Sequence, residues 1–290
     1  MQIPKKLINA LLSISFLSLS IFFRKIALSL ISDRFYLILC FMIFANLTLF
    51  LNLILSQKEW LEKIKKISWS EIRLSIFAGS FLFAFYALAT LGLDLTTSIN
   101  YSFISRSTLI FTILLAYFFL GERLNWEKVL LMFTFFIGIY MISTEGKRII
   151  FQFGDLLILS GTFFFSAFAI LQKKMCKNLT PDVICWTITF NGTIAAIILS
   201  LLLKVNIFPL YRNGLFWVML AGAAEALAVL YVNKTTIIST VTYYSMMSML
   251  TPILNIFLGI IFLSEPLTVL QIIGGTILIA SGILVQKFRV

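Results

Sequence analysis

The sequence predicts an all-α membrane protein of ten transmembrane helices, built as two inverted five-helix repeats with both termini in the cytoplasm. Three observations carry that prediction. The 290 residues are 60% hydrophobic and 12% charged, whereas soluble domains are nearer half apolar and a quarter charged. The chain divides into ten apolar runs, each near the roughly 20 residues that a helix needs to cross the hydrocarbon. Part of the second half also repeats the first at a fixed offset.

In order, the runs are approximately 7–28, 34–55, 73–93, 96–119, 127–144, 154–172, 182–203, 213–233, 237–263 and 268–286. The first follows Lys5 and Lys6 and ends at Arg24-Lys25. It lacks a small-residue cleavage site and so reads as a retained span rather than a leader. With the N-terminus inside, the cytoplasmic side receives 15 basic residues and the opposite side 7, and Arg106 within span four completes the 23. That asymmetry places both termini in the cytoplasm. Most of the excess lies in Gln57–Arg73, where Trp60, Ile64 and Ile67 recur at helical spacing among lysines. This is the pattern either of an interfacial helix or of a solvated linker.

The formal charge of +11 is therefore mostly topology, and nucleic acid is not an expected partner. The absence of histidine removes the commonest general base and the His-containing metal and triad sites. Cys40, Cys176 and Cys185 are too few and too scattered to hold a cluster, and no glycine-rich phosphate loop is present. No cofactor or metal is expected, and an enzyme is not.

Sliding the chain by 143 residues aligns Thr97–Leu124 with Thr240–Leu267 without a gap, at 12 of 28 identical positions. Tyr101/Tyr244, Ser102/Ser245, Ser105/Ser248, Thr108/Thr251 and Glu122/Glu265 coincide, and Ala78-Gly79 falls on Ala221-Gly222. The repeats are bounded at 1–145 and 146–290, within one integral membrane domain. Because each holds an odd number of spans, the second copy enters the membrane upside down. Transporters that expose one site alternately to either side are built in this way.

Each half also carries a glutamate just after its fourth helix, in Phe119-Leu120-Gly121-Glu122-Arg123-Leu124 and in Phe262-Leu263-Ser264-Glu265-Pro266-Leu267. Gly138 and Gly282 close the helices that follow. With ten spans in two halves, the chain resembles the EamA-type branch of the drug/metabolite transporter superfamily over nearly its whole length. It departs from the family pattern at Ser264, where a glycine is usual, and at Leu109, opposite Pro252. The resemblance implies a central cavity bounded by spans one, three, four, six, eight and nine, with alternating access and no cofactor.

On a helix, Ser98, Tyr101, Ser102, Ser105, Thr108 and Thr112 of span four fall on one stripe, and Tyr244, Ser245, Ser248, Thr251 and Asn255 occupy the equivalent stripe of span nine. These hydroxyls either line a path or join helices. Arg106 and Glu225 sit deep in spans four and eight, where each charge costs about 2.5–3.5 kcal/mol to insert. They either lock the halves as an ion pair or face the cavity, Arg106 toward a substrate anion and Glu225 toward an ammonium or a proton. Tyr86, Tyr101, Tyr243 and Tyr244 would add rings with hydroxyls to the same lining. Asp94 is expected to be a cap or interfacial charge, and Glu122 and Glu265 to be structural.

The expected protein is thus a secondary transporter in the cytoplasmic membrane of a bacterium, moving a small amphipathic or zwitterionic metabolite, with amino acids the leading class. The expected substrate-binding set is Arg106, Glu225, Tyr86, Tyr101, Ser102, Ser105, Tyr243, Tyr244, Ser248 and Asn255. Its expected partners are the small-molecule substrate and the lipid bilayer, with monomer and homodimer both open. The alternatives are an exporter of lipophilic cations or nucleotide-like metabolites and, from another class, a non-transporting membrane scaffold subunit.

Overall fold

The computed structural model describes residues 5–56, 60–65, 67–120, 152–175, 179–205, 212–238 and 250–287, together with isolated positions between 126 and 141 and at 244, 247 and 248. Every regular element among the described residues is helical. The helices are α1 (Lys5–Leu30), α2 (Arg34–Ser56), α3 (Trp60–Lys65), α4 (Trp69–Leu95), α5 (Ser98–Ile104), α6 (Thr108–Leu120), α7 (Phe153–Met175), α8 (Pro181–Leu202), α9 (Arg212–Ile238), α10 (Thr251–Leu263) and α11 (Val269–Lys287). Among the described residues, seven stretches are long and apolar enough to cross a membrane by length and composition, and Thr251–Leu263 is a shorter apolar helix. Span five and the first half of span nine fall largely outside the described residues.

Local chemistry sets the helix ends. Asp33 accepts from the backbone N–H groups of Phe35 and Tyr36, both at 3.0 Å, and so starts α2. Ser68 and Glu71 form a reciprocal capping box that starts α4. Thr97 caps α5 by accepting from Asn100 N–H at 3.1 Å, and Pro181 opens α8. The capping box assigns Trp69–Arg73 to span three, and within Gln57–Arg73, read either as an interfacial helix or as a solvated linker, the separate helix among the described residues is the six-residue α3.

Span one is longer than expected. It continues beyond Arg24-Lys25 to Leu30 and carries both charges into the bundle. Span four is not one helix, because a 3-10 turn over Ser105–Ser107 separates α5 from α6. Each 3-10 residue turns the chain by about 120° instead of about 100°, so the hydroxyl stripe shifts in phase across the break. Two hydroxyls of α7 tie the irregular segment down: Ser107 Oγ lies 2.8 Å from Thr162 Oγ1, and Ser166 Oγ donates to the Thr108 carbonyl at 3.0 Å.

The two halves interleave rather than stand apart. α1 packs along α9 as α7 packs along α4, α2 rests on α9 as α8 rests on α4, and α6 meets α7 as α10 meets α1. Exchanging the repeats exchanges these contacts. Gly79 and Gly222, one repeat offset apart, make the crossings close. A Cβ on Gly79 would stand 2.6 Å from the Ile188 carbonyl of α8, and one on Gly222 would stand 2.8 Å from the Phe41 carbonyl of α2. Both positions need the missing side chain for helix packing.

Ser264, which replaces the usual glycine, ends α10 in the left-handed conformation at φ 52°, and Glu265 N–H reaches back to the Gly259 carbonyl at 3.0 Å. Glycine adopts that backbone without a Cβ clash. Ser264→Gly is therefore expected to stabilise the fold by roughly 0.5–1 kcal/mol. Thermal unfolding in detergent checks this; an unchanged or lower midpoint would mean that the serine hydroxyl compensates for the strain.

Candidate functional site

Glu225 lies at the middle of α9, and only 4% of its surface is exposed. Its Oε1 accepts from the Tyr86 hydroxyl of α4 at 3.0 Å, and its Oε2 is buried without a partner. Tyr86 is packed edge-on against Phe41 of α2, with ring centroids 5.1 Å apart, and beside Phe85 at 5.0 Å. A buried carboxylate served by one hydroxyl has unused capacity to accept a donor.

A second buried charge, Arg24, meets the same group of rings at Phe41. Its guanidinium carbon stands 5.1 Å from the Phe41 centroid and 5.4 Å from that of Tyr101, within cation–π range. Its two terminal nitrogens donate to Thr90 Oγ1 at 3.3 Å and to the Tyr101 hydroxyl at 3.1 Å, while its Nε has no partner. At 1% exposure it is the largest of the fully buried side chains. The apolar-run reading put Arg24 at the mouth of span one. The five residues Ile26–Leu30 and the Asp33 cap beyond them are the signal that the span runs on.

Arg106 does not pair with Glu225. It lies in the 3-10 turn and donates to the Ser248 carbonyl at 2.9 Å and to Ser105 Oγ at 3.1 Å. Ser105 and Ser248 are repeat equivalents, so Arg106 joins spans four and nine where the two stripes meet. Ser102, Ser105 and Thr108 donate to carbonyls three residues back in their own chain. Tyr244 meets Ser13 of α1 at 3.2 Å, and Ser13 also donates to the Ala228 carbonyl at 3.1 Å. Asn255 is buried, with its Nδ2 unpartnered. Tyr243, Ser245 and Glu122 lie outside the described residues. Cys40 and Cys185 form no disulfide among the described residues, and Cys185 Sγ accepts from Asn233 Nδ2 at 2.7 Å.

At one end of the bundle, charged side chains tie helix ends together. Glu265 accepts from Ser98 N–H at 2.8 Å, Ser98 Oγ at 2.7 Å and Ile99 N–H at 3.2 Å. It thereby neutralises the N-terminus of α5, which has no acidic residue in its own first turn. Lys25 donates to the Leu93 carbonyl at 2.7 Å and to that of Thr96, where α4 ends. Asp94, expected as a cap or interfacial charge, forms an ion pair with Arg34 at 2.7 Å. At the opposite end, a cleft of about 300 Å³ is lined by Lys5, Ile8, Asn9, Pro181, Lys234 and Ile238; it contains none of the predicted site residues.

Interleaved apolar helices around buried, incompletely partnered charges are what a helical membrane protein with a polar interior would show. The EamA-like transporter family matches residues 4–144 and again 152–286, one copy for each half, and the chain belongs to that family. An uncharacterized transporter of Bacillus subtilis, YyaM, is 25% identical over 242 residues, covering 77% of this chain and 76% of that one. A solved crystal structure superposes with a TM-score of 0.65 over 98% of each chain at 11% identity, a likeness that speaks for the fold alone.

Proposed function

We propose that the chain is a secondary transporter of a small amphipathic or zwitterionic metabolite, with amino acids as the leading class, working by alternating access between its two inverted halves. The observation that carries this reading is the buried Glu225 carboxylate at the middle of α9, with one oxygen unpartnered and the other bonded to Tyr86, whose ring packs on Phe41. Such a carboxylate accepts an ammonium group from a solute and is the group that would couple flux to protons. The distribution of basic residues places the Glu265 end outside, away from the cytoplasm of a bacterial inner membrane. Arg106, Tyr101, Ser102, Ser105, Tyr243, Tyr244, Ser248 and Asn255 remain the proposed lining of the path along spans four and nine.

A second reading, export of lipophilic cations, is favoured by Tyr86 and by the Phe41 and Phe85 rings packed on it near Glu225, which suit a cation without a carboxylate. Counterflow in liposomes, measured with a panel of labelled amino acids and lipophilic cations at two pH values, tests both. The expected result is exchange of at least one amino acid. Exchange of cations alone selects the second reading, and no exchange of any solute, with no solute-dependent rise in melting temperature, supports a scaffold.

A further inference from the structure

We propose that Arg24 of α1, with Tyr101 and Thr90, is the anion-recognising pole of the solute site and binds a solute carboxylate opposite Glu225. This deepens the transport reading and rests on it. A guanidinium has five N–H donors in a planar fork. Here the terminal nitrogens meet only neutral hydroxyls, and Nε meets nothing. A buried charge compensated by neutral groups retains most of its demand for an anion. Ser20, one helical turn earlier on the same buried face, also has an unpartnered hydroxyl.

The placement fits a site between the Glu265 end and the middle of the bundle. Arg24 is six residues short of the end of α1 at Leu30, Thr90 is five short of the end of α4 at Leu95, and Tyr101 lies in the first turn of α5. Glu225 is central in α9. The two charges form no ion pair with each other among the described residues. They share instead the rings of Phe41 and Tyr86: Arg24 lies over the Phe41 ring, the Phe41 ring meets the Tyr86 ring, and the Tyr86 hydroxyl reaches Glu225. Opposite charges that meet the same pair of rings without pairing with each other match a solute that carries both.

Packing alone does not require the charge. Thr90 falls on Asn233 at the repeat offset, and there Gln172 of α7 donates to Asn233 at 3.0 Å. The second half makes the equivalent tie between its first and third helices with two neutral amides. Arg106 is the rival anion site, with its Nε also unpartnered, but one of its terminal nitrogens is held by a backbone carbonyl, that of Ser248, and the other by Ser105.

The test compares wild type, Arg24→Gln and Arg24→Lys in liposomes and in detergent, using L-amino acids each matched to the amine that lacks the carboxylate, such as L-leucine with isoamylamine. In wild type, the amino acid is expected to be preferred in counterflow and in thermal stabilisation. Arg24→Gln should lower the amino acid-to-amine ratio at least ~10-fold, and Arg24→Lys should recover part of it. The ratio is read on folded protein, and Arg24→Lys supplies it where Arg24→Gln yields none. An unchanged ratio in the variants, with both solutes weakened equally or not at all, would overturn the proposal in favour of a packing role. Wild type that responds to amines but to no amino acid would overturn it as well. No response to any solute would remove the transport reading itself, and this inference with it.

Discussion

The Glu225→Gln protein is expected to lose counterflow by roughly 10–150-fold while melting no lower than wild type. Glutamine keeps the size of the side chain and a carbonyl that can accept from Tyr86, the bond made at 3.0 Å by Oε1. It removes the charge, which has no ion-pair partner among the described residues and which costs about 2.5–3.5 kcal/mol at that depth. The fold therefore gains what the solute loses. A hydrogen bond to a charged group contributes about 1.5–3 kcal/mol, which sets the size of the flux effect. Flux and melting temperature must be measured on the same preparations. Unchanged flux would remove Glu225 from the site, and a fall in flux with a matching fall in melting temperature would make its role structural.

How much of this was legible in the sequence depends on which physical signal each residue leaves. The repeat was readable because both copies must solve the same packing problem: Gly79 and Gly222 each admit a backbone carbonyl from a facing helix, and Ser105 and Ser248 meet through Arg106. Glu225 stood out as a charge in the middle of an apolar run. Arg24 did not, because a hydropathy run stops at a charge whether that charge marks the membrane boundary or lies one and a half turns within the helix. The apolar residues after it and the Asp33 cap were the available correction. Arg106 was read on a continuous α-helix, whereas a 3-10 turn breaks span four at Ser105–Ser107, where Ser107 and the Thr108 carbonyl meet hydroxyls of α7 that are distant in sequence. Glu265 read as a linker residue because its partner, the N-terminus of α5, is more than a hundred and sixty residues away in the chain.

That partnership carries the second large effect. Glu265→Ala is expected to open this end of the bundle. Three donors from Ser98 and Ile99 converge on one carboxylate, and their loss leaves the positive end of the α5 dipole without its counter-charge. Bonds to a charged acceptor contribute about 1.5–3 kcal/mol each, though not additively. A net loss of about 2–3 kcal/mol would shift a two-state equilibrium between closed and open ends by roughly 30–150-fold. Ser102 lies in α5 with its side chain wholly buried, so Ser102→Cys, in protein whose Cys40, Cys176 and Cys185 are replaced by serine, reports the opening. A membrane-impermeant maleimide added outside should label that cysteine slowly in the Glu265 protein and at least ~10-fold faster with alanine. Glu265→Gln should fall between them, because an amide still accepts from one N–H but offers no charge to the dipole. Equal labelling rates in all three would show that the clamp is not what holds this end shut, and would leave Lys25 on the carbonyls of α4 and the Arg34–Asp94 pair as the closing contacts.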